Sequence, residues 1–235
     1  MILGVYFILC LAIHVLAPAI SRSFISDFAL LPHSVRLSWY NRLVSSLHAV
    51  LMSCLAIHYW IWINPEHSFA NTVNSYQRSA MDAMIAFLCY DVLYELYFSK
   101  SYDTMMHHIL GLAVHLLTRY YDSGASMFYL MVVYLAELST PLLHLTWLFF
   151  QLGRNTTLAF YFLQTLLLFV FLFCRVILGA IMFGHMLLYK RFWGHQVLLY
   201  YFCSVVCIIF VVMNLKWFRS LLSLAFKSKS DENSS

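Results

Sequence analysis

Seven runs of apolar residues fill most of this chain, and each approaches the length that spans a bilayer. They cover Ile2 to Ile20, Leu43 to Ile63, Ala80 to Phe98, Met105 to Tyr121, Ala125 to Phe150, Leu158 to Tyr189 and Val197 to Phe218. About 20 apolar residues in a helix cross the hydrocarbon core. Lipid cannot satisfy exposed backbone N–H and C=O groups, so runs of this length and density are helical. Of 235 residues, 63% are hydrophobic and 10% charged, where a soluble domain carries about 25% charged residues. One core of this size cannot enclose that apolar excess, and the remainder faces lipid. The expected fold is all-α: a polytopic transmembrane helix bundle of about seven spans. The third and fourth runs are the most polar. The sixth exceeds one crossing, which places an early end at Gly179 or Gly184, or a tilt.

The loop charges give an orientation. Arg22, Arg36, Arg42, Lys100, Arg154, Lys216, Arg219, Lys227 and Lys229 fall on the side of the odd loops and the C-terminus. Arg78, Arg119, Lys190 and Arg191 fall on the other, and Arg175 lies inside the sixth run. Positive residues favour the cytosol, so the C-terminus is expected there. The acceptor patterns Asn155-Thr156-Thr157 and Asn233-Ser234-Ser235 would share that side and stay unmodified. Ala17-Pro18-Ala19 loosely matches a cleavage site, but no Lys or Arg precedes the first run, which is read as a retained span. The chain divides into residues 1–41, a first span and loop; 42–218, the main helical domain; and 219–235, a polar and disordered tail. The formal charge of +4 is spread without a basic stripe, so no nucleic-acid partner is expected. The six cysteines lie in apolar runs without a C-x-x-C pair and read as buried free thiols.

Function is expected where polar residues persist inside the membrane. A mid-bilayer charge costs about 2.5–3.5 kcal/mol on insertion scales, so it faces a partner or a wet cavity. Asp91 and Glu95 are four apart on one helix face. The chain turns back, and His107 and His108 open the fourth span at the same depth. His115 lies seven residues beyond His108, and His144 seven beyond Glu137. His48 starts the second span at this level. Four helices thus bring carboxylates and imidazoles together. A carboxylate beside an imidazole can fix its tautomer and make it a base for an amine or hydroxyl. A histidine can also carry an acyl group. Arg175 reads as a counter-ion to Glu137 or Asp91. Pro141 frees the Glu137 carbonyl, which Ser139 or Thr140 can compensate, and the kink is expected to open space beside His144. No metal site is expected, because the clustered H-x-x-x-H and H-x-x-H-H spacing of di-iron oxidases is absent. No G-x-S-x-G nucleophile turn is present either.

Several of these residues form recognisable strings. Tyr90-Asp91-Val92-Leu93-Tyr94-Glu95 followed by Met105-Met106-His107-His108-Ile109-Leu110-Gly111 resembles the TLC-domain family, which includes the ceramide synthases. Glu137-Leu138-Ser139-Thr140-Pro141 with Trp147 resembles the signature of the small TLC-domain-containing proteins, as does Met213-Asn214-Leu215-Lys216-Trp217. The resemblance runs from about Arg42 to Lys216. It implies a helical membrane domain with a central lipid-accessible cavity. By position, His107 and His108 match the paired synthase histidines, and Asp91 an acidic position on the preceding helix. Where the synthases carry H-D and a further D, this chain has Glu137-Leu138-Ser139-Thr140-Pro141.

Two functions follow as expectations. The first is an acyl-CoA-dependent N-acyltransferase like the ceramide synthases. Its catalytic residues would be His107, His108, Asp91 and Glu95, with a cavity lined by Glu137, Ser139, Thr140, Pro141, His144, His115 and Arg175. No bound cofactor is expected; acyl-CoA would be the co-substrate, its phosphates met by Arg36, Arg42, Lys100 and Arg154. The second is a non-enzymatic regulator or transporter that holds a membrane lipid in the same cavity. Either acts in membrane lipid homeostasis, and endoplasmic reticulum or Golgi is the expected location.

Overall fold

A computed structural model of the chain describes residues 2–70, 72–99 and 101–232, with side chains left undescribed at 99 and from 226 onward. Among the described residues, all regular structure is helical, in seven long helices. Five are apolar and long enough to cross a membrane or extend beyond it: α1 (Ile2–Phe24), α2 (His33–Ile63), α5 (Gly124–Gln151), α6 (Leu158–Leu188) and α7 (Val197–Glu232). Between α2 and α5 lie α3 (Ser75–Tyr94, continued by a π-helical turn Glu95–Ser99) and α4 (Tyr102–Tyr121).

Helix α3 can carry more charge because its neighbours enclose it, whereas α4 buries only one side and leaves Met106, Ile109 and Leu116 exposed. Every residue from Ala80 to Leu88 on α3 is buried, and Ala80, Ala83 and Ala86 let its neighbours approach closely. The two helices run antiparallel, with residue numbers of contacting pairs adding to about the same total. Arg78 pairs with Asp122 at 2.7 Å, Arg119 with Asp82, and Asp91 with His108 at 2.5 Å. Asn74 and Gln77 start α3 with a reciprocal cap of 2.8 and 3.1 Å.

Contacts close the bundle into a ring. Going round, α2 packs on α3, α3 on α4, α4 on α7, α7 on α6, α6 on α5, and α5 on α2. Helix α1 stands outside this ring, against α2 and α3. Hydrogen bonds fix it there, between Tyr6 and His48 Nδ1 (2.9 Å), between Tyr90 and His14 Nδ1 (2.6 Å), and from Trp39 Nε1 to Ser21 Oγ (2.9 Å).

Several boundaries differ from the hydropathy reading. Helix α2 begins at His33, ten residues before Leu43, because its polar first turns pack Trp39 and Asn41 inward. Gly179 and Gly184 do not end α6, which runs through both to Leu188; a π-helical turn at Leu172–Ile177 absorbs the irregularity instead. Helix α7 continues past Phe218 to Glu232 where a disordered tail is expected. At 1.5 Å per residue it is roughly 54 Å long and outruns a hydrocarbon core of about 30 Å. Asn233, Ser234 and Ser235 lie outside the described residues, as does Lys100. Cys54 is exposed on the outer face of α2, where a buried thiol is expected.

Candidate functional site

The ring brings the polar residues of five helices to one level. Asp91 on α3 is almost fully buried, and both its carboxylate oxygens are engaged. Asn41 Nδ2 of α2 donates to Oδ1 at 2.8 Å. His108 Nδ1 of α4 lies 2.5 Å from Oδ2 as a close ion-pair contact. A carboxylate this close favours an imidazole that carries a proton on the facing Nδ1, the arrangement by which a carboxylate prepares an imidazole as a base. The His108 side chain keeps 17% of its surface accessible against 3% for Asp91, so the imidazole is the exposed member of the pair.

Across from this pair, α5 and α6 supply a second polar group. Arg175 Nε donates to Ser139 Oγ at 2.7 Å and Nη2 to Thr140 Oγ1 at 2.8 Å. Thr140 Oγ1 passes its own proton toward Glu137 Oε2 at 2.7 Å. Arg175 and Glu137 are themselves 3.8 Å apart, so Thr140 relays the ion pair. The local backbone explains this geometry. Residues Tyr134–Leu138 tighten into a 3-10 turn just before Pro141, and Ser139 Oγ donates to the Ala136 carbonyl at 2.9 Å. Arg175 sits in the π-helical turn of α6, which rotates it toward α5. The two groups sense one another electrostatically: His108 interacts with Glu137 and Glu95, and His107 with Arg175.

Placement of the remaining expected residues is uneven. Glu95 is buried at the start of its π-helical turn, with Oε2 unpartnered and within electrostatic range of Arg42 and His108. His107 points away from Asp91, against Phe210 and Trp217 of α7 at ring distances of 4.5 and 5.4 Å, and its buried Nδ1 has no hydrogen-bond partner. His115 does not join His108. It donates from Nδ1 to the Gly111 carbonyl (2.7 Å) and takes a bond at Nε2 from the buried Tyr134 hydroxyl (3.0 Å). His144 is packed, sharing its Nδ1 proton between the Arg42 carbonyl (3.0 Å) and Ser46 (2.9 Å). Pro141 lines a groove on the outer side of α5. Arg175 directly contacts Glu137, not Asp91.

Two cations expected to meet phosphates are already engaged. The Arg42 guanidinium lies over the Trp147 ring at 4.3 Å, and Arg154 is tied to Asp27 at 2.6 Å. Asn41 escaped the sequence reading because it precedes the apolar run that marked the second span. An asparagine next to Arg42, two residues before that run, is its only signal. Among the described residues, no three His, Cys, Asp or Glu side chains gather closely enough to hold a metal ion.

The ring also coincides with a known sequence unit. Residues 38–223 match the family model of the TLC domain. The chain belongs to the TLC-domain family. No curated protein matches the chain. The matched segment starts inside α2 and ends inside α7, so the TLC domain here is the six-helix ring. Helix α1 precedes it in sequence and stands outside it in space. Every residue of the Asn41–Asp91–His108 and Arg175–Thr140–Glu137 groups falls within the TLC domain. Membership and the apolar helices together make this an integral membrane protein with a lipid-related function.

Proposed function

We propose that this TLC-domain protein transfers a fatty acyl group from coenzyme A to an amine or hydroxyl of a membrane lipid, with His108 as the base. The observation that supports this reading is the buried Asn41–Asp91–His108 chain of 2.8 and 2.5 Å contacts. His108 Nε2 would take the proton of the nucleophile as its nitrogen or oxygen attacks the thioester carbonyl. The C–S bond breaks as the C–N or C–O bond forms. The proton then passes from His108 to the departing thiolate, giving free coenzyme A. Arg175, held by Ser139 and Thr140 within electrostatic range of His107, would stabilise negative charge developing on the carbonyl oxygen. His107 serves as a wall rather than the base, since aromatic rings of α7 hold it. The odd-loop side would face the cytosol, from which acyl-CoA arrives.

The test uses purified full-length protein, labelled long-chain acyl-CoA and a panel of sphingoid bases and lysolipids, with product read by mass spectrometry. Wild type is expected to form product, and His108→Ala and Asp91→Asn to lose it while still accumulating in the membrane. Product formation unchanged in His108→Ala, or none from wild type with any acceptor, removes the proposal.

A second reading has its own observation. Arg175, Thr140, Ser139 and Glu137 satisfy one another, as a structural tie does. On this reading the chain holds a lipid without consuming acyl-CoA, and a lipid copurifies with a protein inactive on every acceptor.

A further inference from the structure

The turn that carries Glu137, Ser139 and Thr140 on its inner side has an outer side that nothing above uses. There the 3-10 turn and Pro141 draw α5 inward between its neighbours α2 and α6. The result is a groove of about 480 Å³ lined chiefly by Val50 and Cys54 of α2, Leu138 and Pro141 of α5, and Phe173 and Cys174 of α6. It is almost wholly apolar. Val50, Leu138 and Phe173 are exposed on the outer surface, so the groove opens away from the ring interior. It belongs to the most apolar part of the chain, since α6 is almost uniformly apolar and buries little of its surface in the bundle. At that depth the surrounding medium is hydrocarbon.

We propose that this groove binds one hydrocarbon chain of a bilayer lipid, entering sideways from the membrane. The occupant follows from the setting. A concave, apolar surface within the bilayer has no water to fill it, and only acyl chains are at hand. A flat helix face meets those chains as passing solvent, whereas a groove contacts one from three sides and gains dispersion contacts a convex surface lacks. The position adds a consequence. Leu138 and Pro141 flank the residues that meet Arg175, and Cys174 adjoins Arg175 itself. A chain seated in the groove therefore supports, from outside, the same two irregular turns that shape the inner polar network. The inference stands apart from the chemistry assigned to His108.

The experiment uses the full chain in phosphatidylcholine vesicles containing phosphatidylcholine with a photoreactive diazirine on one acyl chain. After illumination, labelled peptides are mapped by mass spectrometry. Label is expected to be several-fold higher on Val50, Cys54, Leu138 and Phe173 than on Val5, Ile8 and Val15, which are exposed on α1. Cys54→Trp and Val50→Phe fill the groove from its rim and are each expected to remove the excess while α1 labelling stays constant. Label that simply follows exposure on every helix, or an excess that survives both filling variants, overturns the proposal. The wild-type map decides the matter even where one variant fails to fold, and acyl-transfer product plays no part in the readout.

Discussion

His107 and His108 are adjacent in sequence, yet about 100° apart around α4. That rotation decides their chemistry. His108 meets Asp91, while His107 turns to Phe210 and Trp217. Sequence depth could place both at the level of Asp91 but could not choose between them, because the choice depends on a helix rotation that hydropathy does not encode. The difference is testable by a single replacement at each position. His107→Phe removes a buried nitrogen that has no partner and leaves an aromatic ring among aromatic rings. It is expected to keep the protein folded, with any activity changed only slightly. His108→Phe strands the buried Asp91, and losing one member of a buried pair costs about 3–5 kcal/mol. Thermal unfolding in detergent should separate the two variants clearly; equal melting would contradict the assigned geometry. Asn41→Ala leaves Asp91 Oδ1 without its donor and is expected to lower stability by about 1–3 kcal/mol. Asn41→Asp should lower it further by setting two carboxylates together.

Elements that face lipid were legible because lipid demands continuous apolar surface; α1, α5, α6 and α7 lie where their apolar runs lie. Polar or irregular stretches were less so. The first turns of α2 are too polar for a hydropathy window, although they bury Trp39 and Asn41. The π-helical turn around Arg175 leaves no periodic mark among uniformly apolar residues. Pro141 did signal an irregularity, but the groove it lines on the outer side of α5 follows from packing against α2 and α6. Arg175 depends on that turn for its two hydroxyl partners. Lysine has one ammonium where arginine has a planar fork, so Arg175→Lys should lose one of the Ser139 and Thr140 contacts and behave nearly as poorly as Arg175→Gln. Full stability of the lysine variant would argue against the fork. Gly111 makes the opposite prediction. A Cβ there would sit 3.7 Å from Leu88 Cδ1, an ordinary contact. Gly111→Ala should therefore be neutral, or stabilise α4 by about 0.5–1 kcal/mol through helix propensity, as read by the melting temperature.

At the scale of the whole molecule, the ring packs α3 and α4 among helices long and apolar enough to cross the membrane, although neither is apolar enough to be chosen for it alone. Most of their charges are met within the bundle: Asp82 by Arg119 and Arg78 by Asp122 at one end, Asp91 by His108 further in. A helix shielded from lipid by α2, α7 and α1, and carrying paired charges, avoids the cost that would exclude it from the bilayer by itself. The alternative is a hairpin of α3 and α4 that enters and leaves on one face. The loop between these helices distinguishes the two. If both helices cross, residue 102 lies on the side opposite to residue 66. Tyr102 is 80% exposed, and Glu66 is exposed in the loop after α2, so a cysteine at either position is reachable. In sealed vesicles, Tyr102→Cys and Glu66→Cys should react with a membrane-impermeant maleimide from opposite faces. Cys54, exposed only toward lipid, should stay silent to that reagent. Labelling of both positions from one face would replace the closed ring with a re-entrant pair, and would move Asp91 and His108 out of an interior that spans the membrane.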